Sequence, residues 1–479
     1  MKKYVYTFPE GSREKKDLLG GKGANLAEMH NTGLPVPPGF TITTGACLQY
    51  LAKGERLEEA IEQQIFGKMK DLEAATGKGF GSDDRPLLVS VRSGASVSMP
   101  GMMDTVLNLG LNDRAVEGLA TTMNNPRLAW DSYRRFIQMF GEVVLHVPAA
   151  RFASALEQAK KAENVDQDAD LSTSALRKLV KAFKDIIVAK CGRPFPQSPA
   201  SQLLLTVEAV FRSWDNDRAI EYRRIHDIPD DLGTAVTVQA MVFGNTGNTS
   251  GTGVAFTRNP STGEKKLYGE FLLNAQGEDV VAGIRTPREI QELGELMPDT
   301  YRQLSETAQT LEQHYKDMQD IEFTIEEGKL FLLQTRNGKR SAQSAITIAV
   351  AMEEEGLLTR KEAILSIESE YIERLLHPSY SEADLQNARL IATGLPASPG
   401  AATGQVYFDA KSVLEATVRG EKAILVRQET SPEDIKGMAR AVGILTSRGG
   451  MTSHAAVVAR GMGKCCVSGC NDIHVSEQD

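Results

Sequence analysis

The histidine of the run GGMTSHAAVVARGMG, residues 449–463, has the setting best suited to chemistry. An apolar segment ends just before this run, two glycines follow, and a helical pattern begins near His454. The free N–H groups and positive dipole of a helix N-terminus favour an anion, and a neutral imidazole has a nitrogen that can attack phosphorus. Arg448, Thr452 and Ser453 could add hydrogen-bond donors to a phosphate. For a lone histidine, the alternative is a simple cap-region residue.

Two runs of small residues offer backbone that could approach a polyphosphate closely. LLGGKGANLAEM contains Lys22, and LLVSVRSGASVSMPGMMDT contains Arg92 at the end of a strand-like segment. Neither GGKGAN nor TGKGFG continues into the Ser or Thr that a P-loop requires, so a P-loop is not supported. A structural loop that binds nothing is the alternative for the second run.

The run DIEFTIEEGKLFLLQTR predicts a hairpin whose turn length decides which side chains share a face. A three-residue loop would set Asp320 opposite Gln334, with Glu322 on the same face. Arg336 would share that face, because side chains alternate along a strand. A two-residue turn would instead separate the acids from Gln334 and leave a plain surface hairpin.

Length and composition limit the classes of protein to consider. A chain of 479 residues predicts roughly three domains. The net charge of −9 disfavours general attraction to nucleic acid or anionic lipid. No long apolar window or signal-peptide core appears, so we expect a cytoplasmic protein with no membrane segment. Five cysteines are an odd number and do not suggest a secreted disulfide framework.

Shifts in pattern divide the chain into five segments and predict an α/β class with an α+β arrangement of several domains. Residues 1–110 mix short strands with glycine-rich turns, and residues 111–200 are helical. Strands return in residues 201–340, where we expect the first segment to find sheet partners. Residues 341–390 form two charged amphipathic helices that suggest a connector, and residues 391–479 alternate strand and helix.

The run GGMTSHAAVVARGMGKCCVSG resembles the phosphohistidine signature of the phosphoenolpyruvate-utilising family. The runs around Lys22 and Arg92 resemble the ATP-grasp domain of dikinases in that family. By this resemblance His454 carries the phosphoryl group, supported by Arg448 and Ser453. It also implies an ATP-grasp domain with a helical insert, a helical linker, and a swivelling phosphohistidine domain in the last segment.

The resemblance further implies an ATP site with Mg²⁺ as cofactor. Carboxylate and phosphate oxygens suit Mg²⁺, and Glu322 and Gln334 match the metal-binding positions. Thr252 and Gly253, in GNTGNTSGTG, match a second glycine-rich loop, although such runs are often simple turns. Thr452 matches a residue that is regulated in plant members. The resemblance also favours the three-residue hairpin loop, and with it the pairing of Asp320 with Gln334. The complete set of implied ATP-site residues is Lys22, Arg92, Thr252, Gly253, Asp320, Glu322, Gln334 and Arg336.

The family reaction interconverts ATP, phosphate and pyruvate with AMP, pyrophosphate and phosphoenolpyruvate through pyrophosphoryl and phosphoryl histidine. Family members continue into a C-terminal barrel for phosphoenolpyruvate and pyruvate, and often form homodimers. Because this sequence stops before such a barrel, we expect an incomplete phosphohistidine domain and at most the ATP and phosphate half reaction. The alternatives are a dikinase that uses water as acceptor, a non-catalytic phosphocarrier and an inactive ATP-binding fragment.

Overall fold

A computed structural model describes residues 2–97, 99, 101–281, 285–375, 380 and 387–476. The chain forms two compact units, residues 1–242 and 243–479. Mixed helices and sheets are present throughout, which confirms the predicted α/β class. Among the described residues, no helix combines the length and apolar composition that would cross a bilayer.

The first unit is built on a five-stranded sheet in the order β1-β2-β5-β3-β4. The strands are β1 Val5–Thr7, β2 Gly39–Ile42, β3 Val89–Gly94, β4 Thr105–Leu109 and β5 Ala235–Ala240. The helices are α1 Lys16–Asn31, α2 Thr44–Ala52, α3 Glu59–Thr76, α4 Ala115–Thr122, α5 Pro126–Val143, α6 Ala149–Glu163, α7 Thr173–Cys191, α8 Pro199–Arg212 and α9 Asp217–Ile225.

Strand β5 completes this sheet although it lies far along the chain from β2 and β3. Every residue of β5 is buried, as expected for an apolar central strand, and it pairs antiparallel with both neighbours. The expected pairing of early strands with later ones is therefore confirmed. The first unit runs to residue 242, so the segment expected to span residues 201–340 is divided between the two units.

The second unit begins with a five-stranded sheet in the order β10-β9-β6-β7-β8. Its strands are β6 Gly251–Phe256, β7 Tyr268–Leu273, β8 Arg288–Glu289, β9 Gln319–Glu326 and β10 Lys329–Asn337. The accompanying helices are α10 Gly277–Val281, α11 Leu293–Leu296, α12 Pro298–Tyr315, α13 Ala342–Glu354, α14 Arg360–Leu365 and α15 Ser369–Leu375.

Helix α13, the first helix of the expected connector, contributes to a hydrophobic core. Its Ile348 and Met352 are buried against Val254 and Phe256 of β6 and Leu272 of β7. Burial of such side chains contributes about 1.5 to 3 kcal/mol each, so α13 is held firmly on this sheet. Much of the later part of the expected connector, residues 376–379 and 381–386, lies outside the described residues.

The chain ends in a third sheet, in the order β11-β15-β14-β13-β12, in which only the β11–β15 pair is antiparallel. Strand and helix alternate here as the pattern predicts, because parallel neighbours need crossover connections. The elements are β11 Leu395–Ser398, β12 Gln405–Tyr407, α16 Ala410–Val418, β13 Ala423–Arg427, α17 Ile435–Arg440, β14 Gly443–Thr446, α18 His454–Met462 and β15 Cys465–Ser468.

Candidate functional site

The β9–β10 hairpin turns through two residues, so the predicted three-residue loop is wrong. Glu327 and Gly328 both have positive φ angles, 50° and 78°, the pattern of a type I′ turn. An extra residue, Leu333, then shifts the register between Leu332 and Gln334. This β-bulge returns Gln334 to the face of the acids, so the separation expected from a two-residue turn is also wrong.

The bulge places four of the predicted nucleotide-site residues in two adjacent cross-strand pairs. Glu322 lies opposite Gln334, and Asp320 lies opposite Arg336, in place of the predicted Asp320–Gln334 pairing. Opposite residues of antiparallel strands project to the same face. We call the face that carries these four side chains the carboxylate face.

Asp320 is buried on the carboxylate face and only partly satisfied. Its Oδ2 accepts a hydrogen bond from Arg336 Nε at 2.7 Å, whereas its Oδ1 has no partner among the described residues. Burial raises the pKa of Asp320, and the charge of Arg336 acts to lower it. A buried carboxylate oxygen without a partner is costly and is suited to a cation or a donor from a ligand.

The oxygen donors of this face fit the predicted Mg²⁺. The described residues contain no cluster of three or more His, Cys, Asp or Glu side chains that could hold a metal. Mg²⁺ in nucleotide sites is commonly held by one or two carboxylates, with phosphate and water oxygens as the other ligands. Glu322, Gln334 and the unpartnered Oδ1 of Asp320 match that requirement.

The first unit brings Lys22 and Arg92 close together. Gly20, at φ +67°, breaks the regular helical backbone within α1, and a side chain there would overlap the carbonyl oxygen of Gly94. Gly94 ends β3, two residues after Arg92, and a Cβ added to it would lie 3.2 Å from the Cβ of Lys22. The GGK and RSG runs therefore meet at the end of one strand, where two basic side chains could bind phosphate.

Thr252 and Gly253 lie inside strand β6 and not in the glycine-rich loop that the resemblance implies. Thr252 is buried, and its hydroxyl donates to the carbonyl oxygen of Phe323 at 3.1 Å. A Cβ on Gly253 would lie 2.6 Å from the Glu270 carbonyl oxygen, so close strand packing requires glycine there. The glycine-rich turn precedes this strand.

His454 is the first residue of α18, as predicted, and we call this element the histidine helix. Ser453 is its N-cap, with a side-chain oxygen 3.5 Å from the N–H of Ala456. His454 Nδ1 lies 2.9 Å from the hydroxyl oxygen of Thr430, and its Nε2 is buried without a partner among the described residues. In the tautomer in which Nδ1–H donates to Thr430, Nε2 carries an available lone pair.

Burial keeps the imidazole neutral near pH 7. It lowers the pKa of His454 to about 4, against a smaller opposite effect of the Asp434 carboxylate. A neutral ring is the nucleophilic form, so both the available Nε2 lone pair and the protonation state suit nucleophilic attack. Arg448 is exposed at the start of the loop before the helix.

This depressed pKa predicts a pH-dependent loss of stability. The unfolded histidine takes up a proton below its ordinary pKa of 6.5, whereas the folded one resists protonation down to about 4. His454 therefore has no destabilising effect above pH 6.5, and it lowers the free energy of unfolding progressively as the pH falls towards 4. Between pH 7 and pH 5 the free energy of unfolding should fall by about 2 kcal/mol more in the wild type than in His454→Gln. Urea unfolding at both pH values measures this; equal losses in the two proteins would contradict it.

The loop before the histidine helix bonds to the carboxylate face. We call residues 448–453 the histidine loop. Glu270 of β7 accepts hydrogen bonds from the N–H of Met451 at 3.2 Å and from the hydroxyl of Thr452 at 3.0 Å. A side chain at Gly450 would overlap the Glu270 carboxylate as it is placed here, so a larger residue would have to displace that carboxylate. Burial raises the pKa of Glu270, and the bonds from Met451 and Thr452 act to lower it.

Glu270 shares a cross-strand row with the predicted metal ligands. Val254 of β6 lies opposite both Glu270 and Glu322, and Glu322 lies opposite Gln334. Two strand spacings separate Glu270 from Glu322, about 10 Å between backbones. The structure thus brings the histidine loop, Asp320, Glu322, Gln334 and Arg336 to one face of one sheet.

The sequence interpretation missed Glu270 and Thr430. Glu270 lies in an ordinary alternating strand and its loop partners are 181 and 182 residues away, so no local pattern marks it. Thr430 directly precedes the run SPED, a typical helix start, and nothing in that run marks Thr430 as a partner of His454. A search for polar residues at the ends of strands parallel to β14 would have found Thr430, three residues after β13.

Comparisons with known proteins match two families to different parts of the chain. The family described as pyruvate phosphate dikinase, AMP/ATP-binding domain, matches residues 16–79, 68–298 and 288–357. The family described as PEP-utilising enzyme, mobile domain, matches residues 419–479. The second match contains the histidine helix, and the first contains the carboxylate face.

Curated relatives match the chain from end to end. Pyruvate, phosphate dikinase of Clostridium symbiosum is 58% identical over 479 residues, which are 100% of this chain and 55% of the relative. The enzyme of Rhizobium meliloti (strain 1021) is 56% identical, again over 100% of this chain and 55% of the relative. The chloroplastic enzyme 1 of Oryza sativa subsp. japonica is 55% identical over 99% of the chain and 51% of the relative. The chain spans about half the length of these relatives, and it belongs to the pyruvate, phosphate dikinase family.

Proposed function

We propose that this chain binds Mg-ATP and, with phosphate as second substrate, transfers the β-phosphoryl group of ATP to His454. One observation carries the proposal. The histidine loop is hydrogen-bonded to Glu270 on the same face of the same sheet as Asp320, Glu322, Gln334 and Arg336. Phosphoryl transfer depends mainly on positioning and charge stabilisation, and this arrangement supplies both.

In this proposal the nucleotide phosphates are bound by basic side chains and a metal. Lys22 and Arg92 stay predicted phosphate-binding residues of the first unit, and Arg336 provides positive charge beside the predicted metal ligands of the second. Glu322 and Gln334 hold Mg²⁺, which when bound would neutralise phosphate charge and orient the triphosphate. Thr252 and Gly253 stay predicted nucleotide-binding residues, although they lie in strand β6 and not in a loop.

The transfer begins with attack of the His454 Nε2 lone pair on the β-phosphorus. The N–P bond forms as the bond from that phosphorus to the oxygen bridging to the α-phosphate breaks, and AMP leaves. Inorganic phosphate then attacks the γ-phosphorus, releasing pyrophosphate and leaving one phosphoryl group on Nε2. The ring becomes cationic at Nδ1–H, and the Thr430 hydroxyl stabilises it by accepting that hydrogen bond. Arg448 and Ser453 are proposed to support the phosphoryl group.

Single-turnover product analysis tests this sequence of steps. With no pyruvate present, Mg-ATP should yield at most one AMP per chain, and pyrophosphate should appear only when phosphate is supplied. AMP together with free phosphate in the absence of added phosphate would indicate water as the acceptor. ATP binding without AMP formation would favour the non-catalytic alternatives. The pyruvate half of the family reaction is not assigned to any residue of this chain.

Thr430 is proposed as a positioning residue for His454. Thr430→Val removes the hydroxyl that bonds Nδ1, so Nε2 loses its preferred tautomer and the cationic product loses its partner. We expect the rate of AMP formation to fall about tenfold, for the loss of about 1.4 kcal/mol. Thr430→Ser should restore most of that rate without changing Mg-ATP affinity. A role only in packing would make Val the better substitute, and that result would contradict the prediction.

Thr452 is proposed as a position where negative charge prevents the loop from binding. Its hydroxyl donates to Glu270 and is buried, so a carboxylate or phosphate there would face a like charge. Thr452→Glu should reduce AMP formation at least a hundredfold while Mg-ATP affinity, measured by calorimetry, stays unchanged. Thr452→Ser is the matched control and should stay active. Normal activity of Thr452→Glu would exclude control of the histidine loop by negative charge at this position.

The homodimer and the cytoplasmic location stay predictions. The plant relative carries the word chloroplastic in its name. Sedimentation of the purified chain would test the dimer directly.

A further inference from the structure

Arg460 of the histidine helix is a buried cation with an incomplete set of partners. Only 3% of its surface is exposed. Its Nη2 donates to the carbonyl oxygen of Met451, which helps to shape the histidine loop. Its Nε and Nη1 have no hydrogen-bond partner within the part of the chain that the structure describes. Buried guanidinium N–H groups without acceptors are costly, so they point to a missing anionic or polar ligand.

The surroundings of Arg460 belong to the carboxylate face. Its guanidinium carbon lies 5.7 Å from the ring centroid of Phe256, and Phe256 is directly opposite Asp320. Asp320 also attracts Arg460 electrostatically, yet no hydrogen bond joins them. An unpartnered acceptor, Asp320 Oδ1, therefore lies near two unpartnered donors. A magnesium phosphate offers a cation to the first and anionic oxygens to the others.

Two more cations, Arg336 and Lys339, lie beside neighbours of Arg460. Arg336 is opposite Asp320, and a Cβ on Gly461, the residue after Arg460, would lie 2.6 Å from Lys339 Nζ. Burial and repulsion from Arg336 lower the pKa of Lys339 to about 8. Such mutual repulsion is relieved by an anion, so the cluster favours a phosphate more than a neutral ligand such as water.

We propose that Arg460 is a further phosphate-binding residue, which the histidine helix contributes to the nucleotide site when the histidine loop is bonded to Glu270. Nε and Nη1 bind a phosphate oxygen, either of the magnesium nucleotide or of free inorganic phosphate. This inference rests on the proposed function and extends it, because the helix that carries the phosphoryl acceptor also recognises the donor.

Two substitutions test the inference. Arg460→Gln keeps an amide donor for the Met451 carbonyl and removes the charge, whereas Arg460→Lys keeps the charge. Calorimetric affinity for Mg-ATP identifies the nucleotide as the ligand. The phosphate concentration that gives half-maximal pyrophosphate release identifies free phosphate. We expect Arg460→Gln to weaken one of these at least tenfold, as for a lost charged hydrogen bond, and Arg460→Lys to recover part of the loss.

Affinity for AMP, which lacks the β- and γ-phosphates, and the thermal unfolding midpoint serve as controls for folding. A purely structural Arg460 would lower the rate of AMP formation and leave both concentration dependences unchanged in Arg460→Gln, and that result would overturn the inference. Failure of the proposed function is distinguishable, because the wild type itself would then release no AMP.

Discussion

Replacing Glu270 by alanine is expected to reduce phosphorylation of His454 by at least a hundredfold while leaving Mg-ATP affinity unchanged. Glu270 accepts two hydrogen bonds from the histidine loop. Bonds to a charged acceptor contribute about 1.5 to 3 kcal/mol each, so their loss removes enough free energy for an effect of this size. The measurements are the single-turnover rate of AMP formation and calorimetric titration with Mg-ATP.

Glu289→Ala is the matched control. Glu289 lies opposite Glu270 on the neighbouring strand and is exposed. The Glu289→Ala substitution removes a carboxylate from the same cross-strand row and should leave the rate of AMP formation unchanged. If Glu270→Ala weakened Mg-ATP binding instead of the transfer step, the role given to the histidine loop contact would be wrong.

Replacing Glu322 by glutamine should lower the rate of AMP formation by a comparable factor, but by weakening the binding of Mg²⁺. The substitution keeps the shape of the side chain and removes the charge that favours Mg²⁺. A metal contributes several kcal/mol to stabilisation of phosphoryl charge, so weaker metal binding should lower the rate about a hundredfold at a fixed Mg²⁺ concentration. Part of the loss should return as Mg²⁺ is raised, and calorimetry should show weaker Mg-ATP binding.

Lys329→Gln is the control for the hairpin, because Lys329 is exposed at the start of β10, away from the bulge. The substitutions of Glu322 and Glu270 separate Mg-ATP binding from phosphoryl transfer. Glu322→Gln should fail to bind Mg-ATP tightly, whereas Glu270→Ala should bind it and fail to transfer. Unchanged magnesium dependence in Glu322→Gln would remove Glu322 from the metal site.

The local elements were predictable from sequence wherever one pattern dominated. His454 begins a helix because glycines and Ser453 interrupt the chain between an apolar strand and an apolar helical face. The alternating hairpin was also correct as an element. Its register was not, because Leu332 and Leu333 are the same residue type and the alternation cannot show which of them is extra. The face that carries Gln334 therefore depended on a bulge that only the structure reveals.

The contacts that assemble the site could not be derived from local sequence. Glu270 meets Thr452 across 182 residues, and Thr430 meets His454 from the loop that follows strand β13. Such pairs depend on how whole elements pack. The resemblance assigned Thr252 and Gly253 to a glycine-rich loop, but both lie in a strand, where close packing requires the glycine.

Phosphorylation of His454 is tested by incubating the chain with Mg²⁺, phosphate and ATP labelled at the β-phosphate. We expect acid-labile, base-stable label on the wild-type protein and none on His454→Ala, with pyrophosphate released only when phosphate is present. Mg-ATP binding without label on the wild type, or equal label on His454→Ala, would contradict the proposed phosphorylation of His454.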